Sequence, residues 1–384
     1  MRSADVIVVG AGVIGASIAW HLAKAGVPVH LVDQSGPAAA PGATWASAGG
    51  LRSQGRHGPE QALSLAAARR WPTLAEELDA DLEISLGGHL HIAETEAEQA
   101  AVAARVAEDR AAGLDIHLVE GAALREIVPG LTPRALSGAW TPGDGQAHPG
   151  RVAAACTAAA VRLGARTRFG AVARPVVRGD RVVAVDVGGV RLAADRVVLA
   201  TGAWSVGLLA GLGLHLPLRW RGLQMLLSEV AAPSLQPTVT GVGRNLSLKQ
   251  TPSGQFMVGG RWLAEPVGES FASRPFADHV ARQWATACAV LPELAGLAVA
   301  QVWSGAEAQS LDALPFIGPA GPEGLYLAAG FSNHGFQISP AVGAAVAEDL
   351  LSGPAPLLAA FRPERAAGVD PARAAAFATE PLLC

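Results

Sequence analysis

Asp5-Val6-Ile7-Val8-Val9-Gly10-Ala11-Gly12-Val13-Ile14-Gly15 is the stretch that decides how this chain is read. A short apolar run predicts a strand, three glycines make a turn, and a helix follows over about Val13–Ala25. A second strand, Val29–Asp33, completes a βαβ unit. Gly10 permits the tight turn, Gly12 lets a phosphate approach the backbone, and Gly15 lets helix and strand pack closely. Val13 and Ile14 open the helix, whose free N–H groups and partial positive charge suit a pyrophosphate. Asp33, followed by Gln34, stands where an acid accepts hydrogen bonds from ribose hydroxyls. That favours an unphosphorylated ribose and leaves NAD and FAD as the candidate dinucleotides.

Outward from this unit, residues 34–58 are rich in Gly, Ala, Ser and Pro and read as a long functional loop. Helical periodicity returns over about 60–80 and 95–112. Turn formers fill Thr141–Gly150, before a helix from about Pro149 to Gly164. Two alternating runs, Ala171–Val177 and Arg181–Val187, are joined by Arg178-Gly179-Asp180 and predict a hairpin. A buried strand, Arg196–Ala200, ends in Thr201-Gly202. Strand-like runs follow at Arg219–Leu227 and Phe256–Gly260. The tail returns to strand (Leu325–Ala329), loop, and a helix from about Ser339 to Leu351. The expected fold is α/β plus β: a Rossmann-type domain with a second domain on a mostly antiparallel sheet flanked by helices. The first takes residues 1–83, 148–218 and 309–384, and the second takes 84–147 and 219–308.

Composition narrows the function. Half of the 384 residues are apolar, 16% are charged, and the net charge is −4, with no basic run or stripe, so nucleic acid is a poor partner. Residues 197–218 carry only apolar and uncharged polar groups besides His215. Their glycines and Pro217 nevertheless read as strand, turn and short helix, and no transmembrane segment is expected. Cys156, Cys288 and Cys384 are too few and too scattered for a disulfide framework, which makes a reducing cytoplasm the expected location. His89 and His91 share one face of a strand without further ligands, so no metal is expected. Only Lys24 and Lys249 are lysines, so Lys249 in a β-rich region stands out.

Further motifs choose between the dinucleotides. Asp195 through Trp204, Leu314-Pro315-Phe316-Ile317-Gly318, and Gly330-Phe331-Ser332-Asn333-His334-Gly335-Phe336-Gln337 resemble flavin-contact segments of the D-amino-acid oxidase superfamily. So do the loop Gly42-Ala43-Thr44 through Ala48-Gly49-Gly50-Leu51-Arg52 and Asp144-Gly145 with Pro149. The likeness spans nearly the whole chain. It is closest to the branch of glycine and sarcosine oxidases and the β subunits of proline, sarcosine and opine dehydrogenases. It implies FAD, a hydride transfer from an amine-bearing carbon to the flavin, and an imine that water hydrolyses. It also implies contacts from Val172 to adenine, from Thr201, Gly202 and Trp204 near the flavin, and from Gly330–Gln337 around the isoalloxazine. Ser310–Leu314 lacks the cysteine of covalent relatives, and no histidine precedes Ala48-Gly49, so FAD is expected to be non-covalent.

Departures from the family pattern mark the substrate end. Gln337 stands where sarcosine oxidases carry a substrate-binding lysine, and Glu307 where glycine oxidase carries a carboxylate-binding arginine. The carboxylate is then held elsewhere, or the substrate presents a cation to Glu307. Arg52, Lys249, Arg261, Glu307, His334 and Gln337 are the candidate substrate-site residues, with Lys249 and Arg261 as carboxylate anchors. The implied substrate is a small amino acid or secondary amine. The electron acceptor is oxygen, a quinone or a partner subunit, and the assembly a homo- or hetero-oligomer. A subunit that only relays electrons and an NAD-only dehydrogenase are the competing readings.

Overall fold

A computed structural model describes residues 4–56, 58–268 and 270–379, so Cys384 lies outside the described residues. The opening unit forms as expected: strand Ala4–Val9, helix Val13–Lys24 and strand Val29–Asp33. They belong to an eight-stranded sheet whose main path runs Phe316–Pro319, Leu325–Ala329, Val190–Leu199, Ala4–Val9, Val29–Asp33, Arg166–Phe169. Neighbours on this path are parallel except the first pair. From Ala4–Val9 the chain steps to one side for Val29–Asp33 and later to the other for Val190–Leu199. The carboxyl ends therefore part there and leave a crevice, the place where such sheets bind ligands.

Two glycines make that crevice. Gly10 has φ +107°, and a Cβ on it would stand 2.4 Å from the Ala200 carbonyl oxygen of the neighbouring strand. A Cβ on Gly15 would stand 1.9 Å from the Gly10 carbonyl oxygen, so the helix seats against the turn only without a side chain there.

The hairpin pairs Ala173–Arg178 with Arg181–Val187. It starts two residues later than its alternation suggests, while the Val172 carbonyl accepts from the Gly188 N–H at its open end. The loop after Asp33 is less irregular than its composition: Ala43–Ala46 forms a helical turn, and Gly50–Leu51 pairs with Gly145–Gln146. The last long helix, Gly335–Ser352, begins four residues earlier than expected and passes through Pro340. Proline lacks the N–H that would reach the Phe336 carbonyl, and the Ser339 hydroxyl donates to that carbonyl instead at 2.8 Å. The proline misled the reading because a side chain repairs the missing bond.

The second sheet has ten strands and is antiparallel between neighbours, except where Thr238–Gly241 runs parallel to His89–Ala93. Its spine is the long pair Leu218–Val230 and Val299–Ser310. Helix Ala277–Val290 covers one face, burying Ala287 and Val290 against Leu226, Phe256 and Val258. A separate core joins helices Val13–Lys24, Pro149–Arg162 and Gly335–Ser352 beside the first sheet. Among the described residues no single helix is long and apolar enough to cross a membrane.

Replacing Ser339 with alanine leaves the buried Phe336 carbonyl unpaired, at a cost of about 1–3 kcal/mol. Chemical denaturation monitored by circular dichroism reads this as a lower midpoint. An unchanged midpoint would show that the Pro340 junction is satisfied otherwise.

Candidate active site

The glycine turn is fixed by side chains reaching in from two directions. The Ala11 N–H donates to Asp33 Oδ2 at 2.8 Å, while Asp33 Oδ1 accepts from Ser35 and Gly36 N–H at 2.8 and 3.0 Å. The Val13 N–H, at the helix start, donates to the Thr44 hydroxyl at 3.0 Å. The loop carrying Thr44 is itself anchored on the second sheet, where the Pro41 carbonyl accepts from Ala306 N–H at 2.7 Å. Gly305 makes the approach possible, since a Cβ there would stand 2.3 Å from the Ala46 Cβ.

One cavity of about 870 Å³ runs through these elements. Asp33 and Gln34 line one end, with Val172 and Arg174. Gly10, Gly12, Val13, Ile14, Ala43 and Thr44 line the middle, and Ala48, Gly49, Thr201, Gly202 and Trp204 continue it. Gly330, Phe331, Asn333, His334, Gly335, Phe336 and Gln337 form the wall beyond, where Arg52, Arg261 and Glu307 also open into it. Two expected contacts stand behind this surface. Gly15 packs against Gly10, and Leu51 is buried in the core shared with helices Val13–Lys24, Pro149–Arg162 and Gly335–Ser352.

At the far end the charges are few and mostly buried. Arg52 is enclosed by protein yet open to the cavity; Nη1 donates to the Gln54 carbonyl at 2.9 Å, and Nη2 lies 3.4 Å from His334 Nε2. Burial, then repulsion from Arg56, lowers its ionisation to about 9, so it stays cationic at neutral pH. His334 Nδ1 stands 2.8 Å from Glu60 Oε2. Burial, reinforced by Arg56, lowers the imidazole to about 4, which makes it neutral beside an ionised Glu60. Burial alone would raise Glu60; His334, Arg56 and Arg52 together hold it below the ordinary carboxylate range. Glu307 is the reverse case: burial pushes it up to about 7 despite the Asn333 N–H donated at 2.9 Å.

Arg261 occupies the cavity mouth in a left-handed conformation, φ +65°, unusual for a long side chain. Its neighbours hold it there. A Cβ on Gly260 would stand 2.2 Å from the Asn245 carbonyl, and that carbonyl accepts from Trp262 Nε1 at 2.7 Å. Among the described residues neither Arg52 nor Arg261 has a carboxylate within ion-pairing distance. The remaining wall is polar: His89 and His91 share the Thr240 hydroxyl at 2.8 and 2.7 Å.

Two expected substrate residues are displaced. Gln337 lines the wall with its amide turned to Ser64: Oε1 accepts from the Ser64 hydroxyl and Nε2 donates to the Ser64 carbonyl, both at 3.0 Å. It clasps helix Pro59–Ala68 to the loop, and one N–H of its amide is left without a protein partner among the described residues. Lys249 is 4% exposed and opens into a second cavity of about 260 Å³, beyond the Ser47-Ala48 wall, with Glu83, Trp45 and Trp303. Burial lowers its ammonium to about 7. It shares its strand face with Ser247, which lines the large cavity, but two residues along the strand carry it past the dividing loop.

Sequence reading missed Glu60, Arg56 and Thr238. Glu60 is the one acid of helix Pro59–Ala68, and nothing local separates a buried acid from an exposed one. Thr238 is 6% exposed and lines the large cavity, while its hydroxyl is fully buried and has no partner among the described residues.

A crevice at a parallel-sheet switch point, continuous with a charged chamber under an antiparallel sheet, defines a dinucleotide-dependent enzyme. The chain matches the family described as FAD dependent oxidoreductase over residues 5–349 and belongs to it, within the D-amino-acid oxidase superfamily. It is 32% identical to glycine oxidase of Geobacillus kaustophilus over 355 residues, covering 90% of this chain and 92% of that one. Glycine oxidase of Pseudomonas putida is also 32% identical, with 94% and 99% covered. The solved glycine oxidase from Geobacillus kaustophilus superposes with a TM-score of 0.86 at 28% identity, covering 95% and 99% of the two chains. The chain is thus an FAD-dependent amino acid oxidase or dehydrogenase. The residues present fit that cofactor: bare backbone at Gly10 and Gly12, and an oriented carboxylate at Asp33.

Glu60→Gln leaves Arg56 buried without its counter-charge, a change worth about 3–5 kcal/mol. Because Glu60 is lowered in the fold, its stabilisation is present above the ordinary value of 4.5 and is lost as pH falls below it. Denaturation midpoints against pH should therefore converge for the two proteins at acid pH. A constant gap between the two profiles would remove Glu60 from this role.

Proposed function

We propose that the chain oxidises the C–N bond of an amine or amino acid, with the substrate held between Arg52, Arg261, Glu307 and His334. The observation that carries this reading is the continuity of the cavity. A single space joins Asp33 and the glycine turn to a chamber bearing two guanidinium groups without ion-pair partners among the described residues. Bound there, FAD would supply the oxidising centre that accepts a hydride from the amine-bearing carbon.

The chain's own contribution is placement and charge. Arg52 offers a carboxylate a cation that burial strengthens. His334, neutral and tethered to Glu60, holds the Arg52 guanidinium in place rather than exchanging protons. The Gly330–Gln337 segment leads into helix Gly335–Ser352, so backbone N–H groups and the helix N-terminus face the cavity where negative charge would accumulate. The imine product hydrolyses to an oxo compound and a smaller amine. With serine at 310 and no cysteine through Leu314, FAD would be held without a covalent bond.

Anaerobic mixing of the FAD-loaded protein with amino acids, N-methyl amino acids and opines tests the reading. At least one compound should bleach the visible flavin band, and failure of a broad panel would overturn it. In Arg52→Met the dissociation constant of that compound should rise by about ten- to a hundredfold, the worth of a charge-assisted hydrogen bond. An unchanged constant would place the carboxylate elsewhere.

A further inference from the structure

We infer that the substrate carries an uncharged hydrogen-bond donor, a hydroxyl or a carboxamide, beyond its amine-bearing carbon, and that His91 accepts it. The inference deepens the function proposed above and rests on it.

The length of the chamber leads there. Glu307, Met225, Gly259, Ser247, Thr240 and His91 all line the large cavity. They belong in turn to Val299–Ser310, Leu218–Val230, Gln255–Gly259, Ser247–Gln250, Thr238–Gly241 and His89–Ala93, which are successive neighbours in the second sheet. Five steps of about 4.8 Å between strands make roughly 24 Å along the sheet. Glu307 stands at one end of that span. His91 stands at the other, with Gly241 and Arg244 also lining the cavity, and Arg52 acts electrostatically on it. A ligand held by Arg52 therefore borders the lobe that His91 closes, and that lobe takes what extends from it.

What His91 offers is decided by the groups behind it. Its Nδ1 and the His89 Nε2 meet the same Thr240 hydroxyl, at 2.7 and 2.8 Å. That hydroxyl has one proton, and these rings are its only side-chain partners among the described residues, so it donates to one and accepts from the other. The second nitrogen of the buried His89 ring, Nδ1, stands 3.7 Å from Asp144 Oδ2 and meets no hydrogen-bond partner among the described residues. A proton on Nδ1 faces that carboxylate favourably, whereas a lone pair would face it at a cost. Arg52 and Arg56 also act on His89, and Asp144 outweighs each of them. His89 is therefore the Nδ1–H tautomer, its Nε2 accepts from Thr240, and Thr240 accepts from His91 Nδ1–H. That leaves His91 Nε2 with its lone pair. No protein group among the described residues meets it, and unlike His89 Nδ1 it is not enclosed.

The donor that suits this nitrogen is uncharged. Burial, then His89, Arg52 and Arg105, keeps the His91 ring neutral by lowering it to about 3. Arg52 and Arg105 disfavour a further cation beside it, and the Nε2 lone pair repels a carboxylate. Arg244 is held by Glu94. A hydroxyl or a carboxamide N–H meets all of these conditions. A fixed acceptor also rejects an analogue without the donor, because the acceptor then gives up water for nothing. Asp144, His89 and Thr240 act through His91 as positioning residues, since they decide which of its nitrogens carries the proton.

Two measurements on the FAD-loaded protein decide the matter. The first is nitrogen-15 NMR of the histidine-labelled protein, with the His91 signals assigned by their loss in His91→Phe or His91→Asn. At neutral pH Nδ1 should carry the proton and Nε2 should give the signal of an unprotonated nitrogen. The opposite tautomer, or a protonated ring, would overturn the inference whatever the enzyme oxidises.

In the second, 4-hydroxybutyrate and glutaramate are titrated beside valerate and glutarate while the flavin absorbance is followed. The two acids with an uncharged donor should bind about five- to tenfold more tightly, the worth of one hydrogen bond. Thr240→Val releases the His91 ring from its tautomer and should erase most of that advantage while changing valerate little, whereas Thr240→Ser should keep it. Equal binding of all four acids, or tighter binding of glutarate, overturns the inference. If the four bind alike while some amine bleaches the flavin anaerobically, the proposed function stands without it. Bleaching by no compound of a broad panel removes both.

Discussion

Glu60 occupies the first turn of helix Pro59–Ala68, 1% exposed, with His334 Nδ1 at 2.8 Å and Arg56 Nη1 at 3.7 Å. The substrate end depends on that buried carboxylate. Arg56 folds back through its own guanidinium onto the Arg52 carbonyl, with Nε at 3.1 Å. His334 lies at the foot of the last long helix. One acid therefore ties the segment after the dinucleotide loop to the segment that closes the far wall, although about 280 residues of chain separate them. Its negative charge near a helix N-terminus is favourable. Glu60 lies against Arg56 and His334 and, with Asp144, acts on Arg52 only at longer range, so Arg52 faces the cavity without an ion-pair partner among the described residues.

The same economy governs the rest of the chamber. Arg244 is taken by Glu94, and Gln337 by Ser64. Lys249 is walled off behind Ser47-Ala48. Among the described residues what stays without an ion-pair partner there is sparse: two guanidinium groups and one carboxyl. In water these would be unremarkable, but beneath a sheet and a loop each weighs more, because the surroundings screen them poorly. The glycine turn is the opposite kind of site. Steric exclusion at Gly10 and Gly15 makes it, and it offers backbone rather than charge.

This contrast explains what the sequence could tell. The dinucleotide crevice was legible because its requirements are local: a strand, three glycines at fixed spacing, and an acid at the next strand end. The second sheet and the hairpin followed from alternation. The catalytic end was legible only in part. Arg52, Arg261, Glu307, His334 and Gln337 line one cavity, whereas Lys249, two positions along a strand from Ser247, lines the next. The Gln337 amide is turned to Ser64, 273 residues distant. Glu60 and Thr238 gave no local signal at all, since their importance is burial, and burial is decided by the whole fold. The early start of the last helix escaped because a serine hydroxyl does the work of a missing proline N–H.

A crystal structure of the FAD-loaded protein with an amino acid bound is the most direct test of the claim that Arg52 is left to receive a substrate carboxylate. The account predicts the carboxylate on the Arg52 guanidinium, within the cavity that Arg261, Glu307 and His334 also line. A carboxylate held away from Arg52 would contradict it.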